Sequence, residues 1–325
     1  MAVYSEDLIG NHPGLGNLRR LIERVAASAV RTVLIYGETG TGKGLVARMI
    51  HRHSARAAEQ FMDINCAAIP ASLLESELFG HEKGAFTGAV ERKVGLIEAA
   101  NRGTVFLDEI REMDLTLQTK LLTLLDTQSF RRVGAVKPTT VDVRFIATTN
   151  KILLTEVNNG TFREDLYYRL QVVALNIPAL RERGPDILSL AQHFIDKFSR
   201  IHGRKVTGMS PAVRNIFLAY DWPGNVRELE NLIERILILE DDEEILPEHL
   251  PDRIHRKVRG DKYQGEAVSA FQIDGGFHDL TAAYQKRLIE AALLQTGGNL
   301  QNCASLLRLS RHALRHQMSK LGFPR

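Results

Sequence analysis

Cysteine is nearly absent: Cys66 and Cys303 are the only two in 325 residues. A disulfide framework is thereby excluded, which points to a reducing, cytoplasmic setting. Long apolar runs are missing as well, and none approaches the length of a membrane span. The opening residues Met1-Ala2-Val3-Tyr4-Ser5-Glu6-Asp7 lack the basic-then-apolar pattern of a secretory leader. Strong charge of one sign is also lacking, since the net charge is only +3. What remains is the composition of an ordinary soluble protein, 44% hydrophobic and 25% charged. Its length suits two or three domains, each with its own core.

The small net charge is unevenly spread. Residues 277–325 hold seven Lys or Arg and two acids, whereas the remainder holds 35 basic and 37 acidic residues. A basic C-terminal unit on a near-neutral body suggests a nucleic-acid partner, although a solvated charged face would look the same.

Residues 32–44 organise the rest. Thr32-Val33-Leu34-Ile35-Tyr36 is a short β-type run, followed by Gly37-Glu38-Thr39-Gly40-Thr41-Gly42-Lys43-Gly44 and then a helical pattern from Leu45. Strand, glycine-rich turn and helix start make a phosphate-binding loop: the glycines aim backbone N–H groups inward, and Lys43 adds a full positive charge. An ordinary glycine-rich turn does not account for a lysine at a helix N-terminus, where it opposes the dipole. The usual Ser or Thr after the lysine, which would hold Mg²⁺, is missing, because residue 44 is Gly.

Three further strand ends converge on this loop. Phe61-Met62-Asp63-Ile64 ends at Asn65-Cys66, and Thr104-Val105-Phe106-Leu107 ends at Asp108-Glu109. Val141–Ala147 ends at Thr148-Thr149-Asn150. In α/β sheets such ends gather around the ligand. Asp108 and Glu109 suit metal orientation and activation of water, or else they cap the next helix. Thr148 and Asn150 can sense a γ-phosphate or position water. Arg163 and Arg169 suit phosphoryl charge, though helical surface salt bridges would explain them equally.

Before the helical periodicity at Leu15, Leu18, Leu21, Ile22 and Val25, Gly10–Gly14 reads as a turn. Gly84-Ala85-Phe86-Thr87-Gly88-Ala89 reads as a surface loop with one aromatic. On the residues alone, a hairpin with Phe86 tucked into the core is the plainer reading, since one ring is no large patch. Phe130–Lys137 reads as a hairpin. Residues 178–255 turn helical, with Ser210-Pro211 starting one helix, and Trp222-Pro223-Gly224-Asn225 preceding another that carries Arg227. Residues 256–276 lack periodicity and read as a linker. Then Leu280, Tyr284, Leu288, Ala291 and Ala292 form an amphipathic stripe. Two short helices follow, fitting helix-turn-helix, with Ser310, Arg311, His312, Arg315 and His316 suited to phosphates and bases. A helical dimerisation bundle is the alternative.

Gly37–Lys43, Glu77–Ala89, Thr104–Glu109, Phe162–Leu170 and Trp222–Leu229 together resemble the AAA+ domain of bacterial enhancer-binding proteins, the sigma-54-dependent transcriptional activators. Gly84–Ala89 looks like the complete signature loop of that family, and residues 278–325 resemble its Fis-type helix-turn-helix. The resemblance implies an α/β AAA+ P-loop parallel sheet with helices on both faces over residues 1–177, a helical lid over 178–255, a linker over 256–276, and an all-α DNA-binding unit over 277–325. It implies a homo-oligomeric ring, commonly a hexamer and a dimer at rest, that binds ATP, Mg²⁺, enhancer DNA and sigma-54 RNA polymerase. Residue by residue, it implies phosphate binding by Gly37, Glu38, Thr39, Gly40, Thr41, Gly42, Lys43 and Gly44. Asp108 would serve Mg²⁺, Glu109 would activate water, and Asn65 would be the switch partner of Glu109. Thr148 and Asn150 would form sensor I, Arg227 sensor II, and Arg163 and Arg169 trans arginine fingers. Gly84, Ala85, Phe86, Thr87, Gly88 and Ala89 would touch sigma-54, which reverses the balance for Phe86.

Three departures stand out. The family often has Glu at residue 44, which supplies no hydroxyl either; Gly lowers helix propensity there by about 1 kcal/mol. Arg308 fills a turn where glycine is usual. No sensory domain precedes the AAA+ unit, which implies a constitutive activator held by a separate regulatory protein, or a truncated chain. Two activities are therefore expected: an ATP-driven activator, or a DNA-binding scaffold or repressor with a degenerate, nucleotide-gated ATPase.

Overall fold

Val33, Leu34 and Ile35 are wholly buried, as the unbroken apolar run of β1 (Thr32–Tyr36) requires of a central parallel strand. The computed structural model describes residues 8–258, 285–286, 288–293, 296–297, 299–307, 309 and 311–323. These fall into two units, residues 1–260 and 261–325.

In the first unit, β1 lies between two other strands of a five-stranded sheet. Its partners are β2 (Phe61–Asn65), β3 (Thr104–Asp108), β4 (Arg144–Thr149) and β5 (Ala174–Asn176), in the order β2-β3-β4-β1-β5. Every pairing is parallel, so all the strand ends that carry polar residues lie on one edge. The register sets Asn65 beside Asp108 and Ile35 beside Thr148. Helices α1 (Pro13–Ala27) and α2 (Lys43–Arg52) cover one face, burying Leu15, Leu18, Ile22 and Val25 with Val46, Ile50 and Phe106. Helices α3 (Ala71–Phe79), α4 (Leu115–Thr127) and α5 (Glu164–Leu170) cover the other, against Val105, Leu107 and Phe145.

Two boundaries differ from the sequence reading. Pro13 and Gly14 belong to α1 rather than to the preceding turn, because proline suits the first helical turn. The fourth strand begins at Arg144, not Val141. The Val141 N–H donates to the Gln128 carbonyl, and the Asp142 side chain accepts from Arg56, so this segment is spent on other partners.

Two ribbons rise beside the sheet. Gly80–His81 pairs with Lys93–Val94, and Ser129–Phe130 with Thr139–Thr140. A bridge between His81 and Val133 ties the ribbons together.

Past β5 the chain becomes helical: α6 (Asp186–His202), α7 (Pro211–Ala219), α8 (Asn225–Leu239) and α9 (Asp252–Val258). Ser210 caps α7, accepting from the Val213 N–H. Their core centres on Trp222, which is fully buried, donates its indole N–H to the Phe217 carbonyl, and meets the Phe217 and Tyr220 rings edge-on.

In the second unit, α10 (Leu300–Leu306) and α11 (Arg311–Lys320) pack with residues 288–293 around Ile289, Ala292, Cys303, Ala304 and Leu314. Asn299 caps α10. Of the stripe read from the sequence, Ala292 is buried as expected, whereas Leu288 and Ala291 are exposed and Ile289 is buried in place of Leu288. Ile289, Ala292 and Leu293 keep the same helical spacing and face the core with Cys303 and Leu314. Most of the linker reading, residues 259–276, together with Leu280, Tyr284, Arg308 and Ser310, lies outside the described residues.

Phe217→Ala should destabilise the lid by about 3–5 kcal/mol through the cavity it leaves. Trp222 is the only tryptophan, so its fluorescence during urea unfolding reads that loss directly.

Candidate active site

The loop between β1 and α2 is built from steric necessity. A Cβ on Gly37 would lie 2.8 Å from the Thr41 hydroxyl, and one on Gly40 would overlap the Gly224 carbonyl oxygen. Gly42 caps α2 with φ 101°, a left-handed conformation that favours glycine. Thr41 turns its hydroxyl inward to the Glu38 carbonyl, 2.7 Å. Lys43 is buried; its ammonium donates to the Gly37 carbonyl at 3.0 Å and stands 3.4 Å from the Glu109 carboxylate. Gly44 is under no such constraint, since a Cβ there would only touch the Phe106 ring at 3.9 Å.

The acidic strand end faces this lysine. The Thr148 hydroxyl, on the strand between β1 and β3, donates to Asp108 and accepts the Glu109 N–H at 3.2 Å. Glu109 adopts φ 53°, uncommon for a non-glycine residue and a mark of a functional turn. One of its carboxylate oxygens and the Asn150 side-chain oxygen are buried with no hydrogen-bond partner. The Asn150 amide reaches Thr39 at 3.4 Å. Asn65 sits beside Asp108 in register, but its side-chain oxygen accepts from the Ala67 and Ala68 N–H groups and not from any group on Glu109. Burial and the charges of Asp108, Glu109 and Glu112 push the neighbouring Cys66 thiol up to about 12.

The lid closes the site from above, and apart from Arg227 its contacts come from residues to which the sequence reading assigns no role. Arg181 grips the Glu38 carboxylate with two bonds, 2.6 and 2.9 Å. Asn225, fully buried at the start of α8, donates to Glu38 and to the Thr39 carbonyl. Arg183, also buried, donates to the Thr41 carbonyl, and the Arg227 N–H donates to the Gly40 carbonyl. The Arg227 side chain is exposed. Asp186 accepts the Asn11 and His12 N–H groups, which draws Leu8 and Ile9 over the cleft opposite Leu190, Phe194 and Val226. The cleft so formed holds about 400 Å³. A cleft with apolar residues Leu8, Ile9, Leu190 and Phe194 in one part and the loop N–H groups, Lys43, Asp108 and Glu109 in another suits a nucleobase joined to a polyphosphate.

Other predicted residues lie elsewhere. Arg163 pairs with Asp165, and Arg169 pairs with Asp126 at 3.0 Å. Neither lines the cleft, and the Arg169 carbonyl accepts from Thr32 at the opposite end of β1. The Gly84–Ala89 loop closes on itself by a 2.8 Å bond from the Gly84 N–H to the Ala89 carbonyl. Phe86 at its tip is 43% exposed and rests edge-on against His81, so the tucked-in reading fails. Arg311, Arg315 and His316 are exposed on α11. Ser310 and the His312 side chain lie outside the described residues. A lid cluster of Glu240, Asp242 and His249 has metal-like spacing. His249 accepts the Leu246 N–H on Nδ1, so its proton sits on Nε2 toward Asp242 and no lone pair remains for a cation.

Sheet order, phosphate loop, acidic strand end and helical lid define an AAA+ P-loop ATPase. The described residues include no helix long and apolar enough to cross a membrane. Family models match residues 8–176 as a sigma-54 interaction domain, 181–267 as an AAA+ ATPase lid domain and 282–321 as a bacterial regulatory protein of the Fis family. The chain belongs to the sigma-54-dependent transcriptional activators. It is 44% identical over 315 residues to the regulatory protein AtoC of Escherichia coli (strain K12), covering 97% of this chain and 68% of that one. It is 46% identical over 314 residues to the nitrogen fixation protein VnfA of Azotobacter vinelandii, covering 97% of this chain and 58% of that one. Among solved structures, NtrX from Brucella abortus in complex with ADP matches with a TM-score of 0.77 at 35% identity, over 98% of this chain and 70% of that one.

Glu38 should titrate below the usual carboxylate range, because Arg181 first and Asn225 second hydrogen-bond its ionised form. A depressed folded value contributes stability that is present above the unfolded value and lost as pH falls through the folded one. Carboxyl carbon chemical shifts followed through acid pH should show Arg181→Ala moving Glu38 back up toward an ordinary glutamate.

Proposed function

We propose that this chain is a cytoplasmic ATPase that assembles into a ring, binds enhancer DNA and remodels sigma-54 RNA polymerase from closed to open complex. The observation that carries the reading is the convergence of Lys43, Asp108, Glu109 and Thr148 at one sheet edge, in a chain that also presents Phe86 on a ribbon-borne loop.

Lys43 and the loop N–H groups that are not spent on Thr149 and Glu38 hold the β- and γ-phosphates. The orphaned Glu109 oxygen and the Asp108 carboxylate are hard oxygen donors, so the residues present fit Mg²⁺. When bound, that ion would neutralise charge on the phosphates. Asp108, fixed by Thr148, would hold it, and no hydroxyl from residue 44 is required. Glu109 orients and deprotonates the attacking water, with Asn65 as its switch partner once the amide leaves the Ala67–Ala68 turn. Asn150 and Thr148 report the γ-phosphate, and Arg227 reports it to the lid. Arg163 and Arg169, surface-exposed and away from their own cleft, reach the ATP of the next subunit. Their intrachain ion pairs are exposed and cost little to exchange.

Gly84–Ala89 meets sigma-54 through Phe86. Arg311, Arg315 and His316, with Ser310 and His312, meet DNA.

Phe86→Ala should keep ATP hydrolysis within about twofold and abolish open-complex formation at a sigma-54 promoter. Open complexes made at the wild-type rate would sink the coupling. Hydrolysis per subunit should rise steeply with protein concentration, and Arg163→Ala and Arg169→Ala should each cut it by about a thousandfold or more, the range for arginine fingers.

A further inference from the structure

Glu38 faces two ways. Its backbone carbonyl accepts from the Thr41 hydroxyl and belongs to the phosphate loop, while its side chain turns to the lid. There it meets Arg181, which follows β5, and Asn225, the first residue of α8. Asn225 is fully buried and its carboxamide is saturated. It donates to Glu38 at 3.1 Å and to the Thr39 carbonyl at 3.0 Å, and it accepts the Leu180 N–H at 2.8 Å. One side chain thus joins the phosphate loop, the β5-to-lid connection and the helix that carries Arg227.

The backbone at this point is held against its preference. Asn225 has φ 52° and Trp222 has φ 50°, both left-handed and neither glycine. Such conformations persist only where surrounding bonds over-determine them, and they concentrate at switch regions. An exposed Glu–Arg pair alone would add little. Here the carboxylate also bonds a buried amide, so a shift of the loop cannot leave the lid unchanged.

We propose that Glu38, Arg181 and Asn225 form a latch that makes lid position follow the phosphate loop, with Arg181 and Asn225 as positioning residues that touch no reacting atom. The latch acts through the loop's outer face. Arg227 acts at the cleft, so the two routes are separable. The proposal rests on the reading of the cleft as a nucleotide site.

Hydrogen exchange on the full chain, with and without ADP and magnesium, tests it. ADP should slow exchange in α6 and α8 of the wild type. Arg181→Ala and Asn225→Asp should bind ADP within about threefold of wild type yet lose about tenfold of that lid protection, a typical coupling magnitude. Arg181→Lys, which keeps the charge, should retain most of it. In turnover the two disruptive variants should lower kcat and leave KM nearly unchanged. Arg181 is half-exposed, so Arg181→Ala keeps the test valid if Asn225→Asp misfolds. Full lid protection in Arg181→Ala, or a wild-type lid indifferent to bound ADP, overturns the latch. ADP-linked protection as expected in a wild type that never hydrolyses ATP upholds the latch and removes the ATPase reading instead.

Discussion

A phosphate loop can aim its N–H groups inward only by turning carbonyls elsewhere, and those carbonyls need donors. That constraint shapes the first unit. The Thr39, Gly40 and Thr41 carbonyls take their donors from Asn225, the Arg227 N–H and Arg183. All three donors belong to the lid segment, more than a hundred residues away in sequence. The loop is therefore finished by the lid and not by the sheet that carries it. The lid in turn is oriented by backbone groups that would otherwise be unpaired, and the two regions specify each other.

The second constraint is sheet order. One strand, β4, lies between the strand that leads into the phosphate loop and the strand that ends in Asp108. Its Thr148 hydroxyl can thus donate to Asp108 and accept from the Glu109 N–H. Just past β3 the chain turns at Glu109, φ 53°, and its carboxylate lies beside the Lys43 ammonium. A buried lysine opposing its own helix dipole is unfavourable unless anions surround it. The glutamate and the Gly37 carbonyl meet part of that need.

What could be read from sequence was what is local. The strand, glycines and lysine of residues 32–44 are contiguous, as are the Thr104–Glu109 strand end and the exposed Gly84–Ala89 loop. Their periods and turn residues name them without a fold. What stayed hidden was set by distance or by competition. Arg181 meets Glu38 across 143 residues, and nothing in a run of charged residues marks which one will pair. Asn225 looked like turn punctuation, because Trp-Pro-Gly-Asn carries that signal whether or not the amide is buried. The strand read from Val141 starts late because Asp142 finds Arg56. Leucine and isoleucine are interchangeable in a periodicity count, so Leu288 reads as core from sequence, and only packing chooses Ile289.

The proposed function needs chemistry at the cleft to reach Phe86, and the chain offers a contiguous route. Asn65 ends β2 beside Asp108, and its side chain caps the Ala67–Ala68 turn. Pro70 follows, then α3, which ends at Gly80 where the ribbon begins. His81, the next residue, bonds back to Ser76 of α3 and supports the Phe86 ring. Arg132 braces the ribbon from outside, bonded to Glu82 and Glu98. Contiguity alone is no proof of coupling. The physical requirement is an element with two arrangements; under the proposed function Asn65 would supply it, leaving the turn it caps now for the Glu109 carboxylate just past the end of β3. That exchange would uncap the turn at the root of α3. The loop tip is bonded mainly within itself, through Gly84 to Ala89 and Ala89 to Phe86, and meets the ribbon through the Phe86 contact with His81, so it can follow the ribbon as one piece.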